Sequence, residues 1–199
     1  MTHKRTRMSV LLAGAMLAGA VMTNTGKASA QKLSLSTDVA VTYVAERSKV
    51  EPSNCGCFWL NGGSVDAAVT AYKGLGVAFN LTGETNSNIA PGVSLTQIEY
   101  MGGLRYTHAL LPTPRTRLFL EGLSGAVHAY NGTFPQGTQI VTSVNKLAVQ
   151  AGGGVDVALK YGVGVRVEGD WVYTQLPNAG TNTQNDFKIA AGLSYHFGK

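Results

Sequence analysis

Eight stretches that alternate apolar and polar residues, joined by connections that alternate long and short, predict an all-β chain. Its expected form is an eight-stranded antiparallel up-and-down transmembrane β-barrel. A further observation agrees: helical periodicity with caps is absent, and Gly occurs 25 times, an excess that suits tight turns and crowded strands. The alternation is clearest in the last strand, Asn185–Phe197. There Phe187, Ile189, Ala191, Leu193, Tyr195 and Phe197 share one face, while Lys188, Ala190, Gly192, Ser194 and His196 share the other. In a soluble sandwich a second sheet would cover the apolar face. In a transmembrane barrel that face meets lipid and the polar face lines the interior. The terminal aromatics favour the barrel, because Tyr and Phe suit a membrane boundary.

Residues 1–30 read as a cleaved secretory signal peptide. Lys4, Arg5 and Arg7 form a basic start, Met8–Met22 is apolar except for Ser9, and Ala28-Ser29-Ala30 supplies a small-x-small cleavage site. Fifteen residues rise only about 22 Å as a helix, short of a bilayer core of about 30 Å, so the stretch is not an anchor. No Cys follows it closely, which disfavours a lipoprotein. The leader holds four of the 16 basic residues and leaves 12 bases against 11 acids, a balance that excludes nucleic acid as a partner. Residues 31–199 form one domain with no apolar run long enough for a transmembrane helix.

The strands follow in order. Leu33–Arg47 sets Val39, Val41, Tyr43 and Ala45 against Asp38, Ala40, Thr42, Val44 and Glu46, and Ser48–Phe58 is a loop. Trp59–Tyr72 carries the weaker markers Val65, Ala67, Val69 and Ala71; the tight turn Lys73-Gly74 leads into Leu75–Glu84, marked by Leu75, Val77, Phe79 and Leu81. After the loop Asn86–Val93, the strand Leu95–Ala109 sets Ile98, Tyr100, Leu104 and Tyr106 against Glu99, Met101 and Arg105. Leu110–Arg115, with two prolines, turns into Thr116–Tyr130, where Phe119 and Leu123 blur the alternation by sharing the face of Glu121. Asn131–Thr142 is a long polar loop. Val144–Leu159 and Val163–Thr174 flank the turn Lys160-Tyr161-Gly162, and Leu176–Gln184 leads to the last strand. All short turns fall at one end, as in barrels with short periplasmic turns and longer external loops.

The register passes a separate test. A three-residue turn at Lys160–Gly162 puts Val157 opposite Val165 and Asp156 opposite Arg166; the turn at Leu110–Arg115 puts Tyr106 opposite Leu120 and Arg105 opposite Glu121. Apolar residues then meet on one face and opposite charges on the other.

With these elements in place, Gly152-Gly-Gly-Val-Asp156, Val165-Arg-Val-Glu-Gly-Asp-Trp171 and Gly192-Leu-Ser-Tyr-His-Phe197 resemble the closing half of bacterial β-barrel-domain proteins. The chain from Gln31 to Phe197 is similar to the eight-stranded outer-membrane barrels, the class of the OmpA transmembrane domain and OmpX. The resemblance implies the outer membrane of a Gram-negative envelope, lipid around the barrel, and insertion by the barrel-assembly machinery. Gly192, Tyr195 and Phe197 match its C-terminal assembly signal. Adhesins, envelope-stabilising proteins and lipid A-modifying enzymes share this architecture, so it does not choose a role.

The richest constellation is the set of interior charges Glu99, Arg105, Glu121, Asp156, Arg166, Glu168, Asp170 and Lys188. It reads either as a small polar pore or as a salt-bridged filling, and the second is favoured because eight strands leave an interior just wide enough for side chains. Cys55 and Cys57 lie in the first loop, as a tight local disulfide, a pair of free thiols or an intermolecular bridge; zinc lacks further ligands there. Ser194 with His196, and Ser124 with His128, share strand faces and raise the alternative of a lipid A acyl hydrolase or transferase, but neither pair has a carboxylate placed to orient its His. The glycines of Gly152–Gly154 and Gly162-Val-Gly164 precede no helix and form no phosphate loop. A soluble lipocalin-like binder would need an apolar interior. The reading is a monomeric, non-enzymatic barrel without cofactors or metal, in a structural or adhesion-like role, with loops that meet an extracellular ligand or host surface.

Overall fold

The computed structural model describes residues 35–50, 56–90, 93–110, 115–136, 138–177 and 182–197. The signal peptide and its cleavage point lie outside them. The strands are β1 (Ser36–Val50), β2 (Gly56–Tyr72), β3 (Leu75–Ala90), β4 (Val93–Ala109), β5 (Thr116–Gln136), β6 (Gln139–Ala158), β7 (Val163–Thr174) and β8 (Gln184–Phe197). Each pairs antiparallel with the next and β8 closes on β1, so the sheet has no free edge.

Turn chemistry explains the tight end. Lys73 (φ 47°) and Gly74 (φ 87°) form a two-residue hairpin with both central residues left-handed, the geometry that matches strand twist. The Gly74 carbonyl accepts from Thr107 N at 2.7 Å, which ties this turn to β4. At the β6–β7 turn, Tyr161 and Gly162 are left-handed, Leu159 N donates to the Val163 carbonyl at 2.8 Å, and the Gly162 carbonyl accepts from His196 N at 2.8 Å. That turn pairs Asp156 with Arg166 and Val157 with Val165, while β4 and β5 pair Arg105 with Glu121 and Tyr106 with Leu120.

The sequence boundaries fail at the other end. β3 continues to Ala90 rather than Glu84, and β5 and β6 run to Gln136 and from Gln139, through what reads as the loop Asn131–Thr142. The loop expected over Ser48–Phe58 shrinks likewise, because β1 reaches Val50 and β2 begins at Gly56. Alternation marks a strand only where its outer face is apolar. Beyond that band the backbone still needs hydrogen-bond partners, so Asn, Thr and Gln continue the ladder without the pattern.

Inside and outside are inverted relative to a soluble protein. Phe79 is 64% and Leu120 67% exposed, whereas Arg105 is 1% and Glu99 0% exposed. Val41, Val77, Leu104, Val167 and Leu193 join the outward apolar face. Aromatics mark two levels of it: Tyr106, Tyr195 and Phe197 near the short turns, Tyr100, Trp171 and Phe187 further up. On β4, Tyr106 and Tyr100 are about 20 Å apart along the strand at about 3.4 Å per residue.

Candidate functional site: the charged barrel interior

Every acidic residue among the described residues is buried inside the barrel: Asp38, Glu46, Asp66, Glu84, Glu99, Glu121, Asp156, Glu168, Asp170 and Asp186. Among the described residues only three basic side chains, Arg105, Arg166 and Lys188, are buried with them. The charges form layers.

The layer nearer the short turns is built on the two arginines. Arg105 donates Nε to Glu121 Oε2 at 2.8 Å and spans Asp66 with Nη1 at 2.7 Å and Nη2 at 2.8 Å. Arg166 spans Asp156 with Nε at 2.9 Å and Nη2 at 2.8 Å, and Nη2 also reaches Asp38 Oδ1 at 2.7 Å. Asp66 bridges both arginines through Oδ1. Cross-strand placement accounts for this geometry: each arginine has a carboxylate on one side and a glycine on the other. Arg105 lies between Glu121 and Gly76, and Arg166 between Asp156 and Gly192, so the glycine leaves space for the fork. Phe119 sits with both guanidinium groups over its ring, at 4.5 and 4.6 Å from its centroid. Its inward position explains why the alternation of β5 blurs there.

The second layer surrounds Lys188. Its ammonium pairs with Glu99 and lies 3.7 Å from Glu46 Oε2. Gln97 Nε2 donates to Glu46 Oε1 at 2.9 Å and to Glu84 Oε2 at 3.0 Å, and Ser48 Oγ donates to Glu46 Oε1 at 3.2 Å. Glu168 and Asp170 make no ion pair with a basic side chain among the described residues. An apolar cluster that includes Leu60, Met101, Leu123, Val127 and Phe134 shares the interior with these layers.

All eight charges singled out in the sequence thus lie inside, and they meet partners absent from that set: Asp38, Glu46 and Asp66. Strand parity was the available signal, since Asp38 and Glu46 alternate with Val39 and Ala45, and Asp66 with Val65 and Ala67.

The hydroxyl–imidazole pairs do not assemble a triad. Ser194 Oγ lies 3.4 Å from His196 Nε2, but His196 Nδ1 has no hydrogen-bond partner. The nearby carboxylates of Asp38 and Asp156 are engaged by Arg166. Ser124 lies on the outward face, and His128 Nε2 approaches Ser143 Oγ at 3.4 Å instead. Of the assembly-signal residues, Tyr195 and Phe197 point outward with rings edge to face at 4.5 Å. Gly192 lies on the β1–β8 seam, where an added Cβ would meet the Val41 carbonyl at 2.1 Å. Cys57 is disulfide-bonded, and Cys55 lies outside the described residues.

No protein-family model matches the sequence, and no curated protein matches it. Solved structures do. Neisserial surface protein A is 14% identical with a TM-score of 0.64, over 81% of this chain and 97% of that one. Ail, the attachment invasion locus protein of Yersinia pestis, is 14% identical with a TM-score of 0.54, over 83% and 100%. The outer membrane protein OprG of Pseudomonas aeruginosa is 9% identical with a TM-score of 0.50, over 84% and 98%. The chain has the fold of the eight-stranded outer-membrane β-barrels.

Proposed function

We propose that the chain is an integral outer-membrane barrel with a side-chain-filled interior, acting through the end opposite its short turns in a structural or adhesion-like role. The observation that carries this reading is the inversion of the two faces: an apolar belt bounded by aromatics outside, and every described acid inside. Water would penalise that belt, whereas hydrocarbon solvates it without cost. β5 and β6 project furthest from the tight end, with Thr133, Gln136, Gln139 and Thr142 exposed. They supply polar surface for an extracellular ligand or host surface.

The reading is non-enzymatic, supported by a His196 that no carboxylate orients. It is also non-conducting, supported by the arginine pairs and the Lys188 layer that cross the interior. Outer-membrane lipid, the barrel-assembly machinery and a monomeric state belong to the same proposal. The test is membrane fractionation of expressing cells followed by planar-bilayer recording of the pure protein. Outer-membrane fractionation, a need for detergent and no stable current are expected. A detergent-free soluble protein would overturn the membrane reading, and reproducible single-channel steps would make transport the better one.

A further inference from the structure

Between the two charged layers, Glu168 and Asp170 pair with no basic side chain among the described residues and converge on Glu121, whose Oε2 Arg105 engages. Glu121, Glu168 and Asp170 each place an oxygen so that all three lie within 4.8 Å of one another. Register explains the convergence: Glu121 on β5 and Asp170 on β7 both pair with Gly152 on β6, which has no side chain to separate them. A Cβ on Gly152 would fall 1.9 Å from Asp170 Oδ1, so that carboxylate occupies the space the glycine leaves. Lys188, the cross-strand neighbour of Asp170, pairs with Glu99 and Glu46 instead.

Two unpartnered atoms give independent evidence for a ligand. Asp170 Oδ1 accepts no hydrogen bond, although Asp170 is 2% exposed. Gln150, 1% exposed, donates Nε2 to Glu121 Oε1 at 3.1 Å, and its amide Oε1 beside that contact has no partner. Buried acceptors without donors are costly and call for a cation or a proton. The surrounding charge points to a cation, since ten buried carboxyl groups face three buried basic groups.

We propose that Glu121, Glu168 and Asp170, with the amide oxygen of Gln150, hold one calcium-class divalent cation inside the barrel. The donor set is oxygen alone, which suits a hard cation and excludes a preference for softer metals. Calcium takes six to eight oxygens at about 2.3–2.6 Å, so opposed ligands lie about 4.6–5.2 Å apart, a span this cluster fits. The cation stitches β5, β6 and β7 together beside the Arg105–Glu121 contact. It enters as the barrel folds, because the finished site is buried.

The experiment uses the full chain folded in detergent with Ca²⁺, exchanged into metal-free buffer, with bound metal measured by mass spectrometry. Background is low, because no described acid is exposed. About one Ca²⁺ per wild-type chain is expected. The conservative variants Glu168→Gln and Asp170→Asn should lose at least nine-tenths of it, while Glu84→Gln in the Lys188 layer retains it. Folding wild type in chelator should lower its thermal midpoint by several degrees and leave the variants unchanged. A folded wild-type barrel without bound metal overturns the proposal whatever the variants do. Equal metal in Glu168→Gln and wild type overturns it as well, by placing the ion elsewhere. A chelator-insensitive midpoint that falls as pH rises assigns the cluster a shared proton and overturns it too.

Discussion

The two charged layers each contain four carboxylates, yet they satisfy them very differently. Around Arg105 and Arg166, none of Asp38, Asp66, Glu121 and Asp156 has a buried side-chain oxygen without a partner. Around Lys188, each of Glu46, Glu84, Glu99 and Asp186, the last buried two residues before Lys188 on β8, has a side-chain oxygen without a hydrogen-bond partner. The difference follows from donor geometry. Two guanidinium forks present ten N–H donors in fixed planes and can span carboxylates two at a time, whereas one ammonium is a point charge with three. A filled lumen is therefore not uniformly stable. Its tight-turn end is stapled, and its open end is rich in unmatched negative charge.

The largest expected effect comes from breaking the staple. Arg105→Met keeps the side chain's bulk but strips Glu121 and Asp66 of their shared fork. Removing one partner of a buried ion pair typically costs about 3–5 kcal/mol, and this arginine serves three carboxylates, Asp38 among them, so the upper part of that range is expected. Urea unfolding of the barrel refolded into lipid vesicles, followed by Trp fluorescence, measures it. A loss below about 1 kcal/mol would show that the layer is solvated rather than closed.

The staple was largely legible before any coordinates, and the reason is register. β7 has the boundaries read from its alternation, Val163–Thr174, because both of its ends abut marked features: a glycine turn and the close of an apolar band. Once one turn is placed, period two fixes which carboxylate faces which arginine. What alternation could not show was anything that depends on closure. Asp66 meets Arg166 from the far side of the barrel, 100 residues away in sequence, and no strand-neighbour argument reaches that contact. Nor could it show two guanidinium groups over the ring of Phe119, since an aromatic on a charged face looks like a broken pattern until both cations are in place.

A second substitution sharpens the contrast by moving the same residue type one position. Arg166 is stabilising because it points inward among Asp38, Asp66 and Asp156; its neighbour Val165 points outward beside Val157 and Leu193. Val165→Arg places an identical cation where hydrocarbon offers no partner. If Val165 lies near the midplane, the cost is about 2–4 kcal/mol, falling towards zero near an interface. The same vesicle unfolding assay reads it. No measurable loss would mean that the belt is not in lipid.

The smallest effect has the opposite sign, and it comes from the Lys188 layer. Glu84 accepts from Gln97 through Oε2, while its Oε1 has no partner and no basic side chain pairs with it among the described residues. Its charge therefore adds repulsion against Glu46 and Glu99 without a compensating ion pair. Glu84→Gln keeps the shape and an oxygen acceptor for Gln97, adds two donors for the orphaned oxygens nearby, and removes one negative charge from a low-dielectric interior. The expected change is neutral to stabilising, up to about 1 kcal/mol, a range set by one modest hydrogen bond gained. In the Arg layer the equivalent change, Asp156→Asn, would strip a two-point arginine contact and destabilise. Measured side by side, the two isosteric substitutions should move stability in opposite directions. If Glu84→Gln destabilises as much as Asp156→Asn, then Glu84 is charged and paired, and the open end of the lumen is as tightly matched as the stapled one.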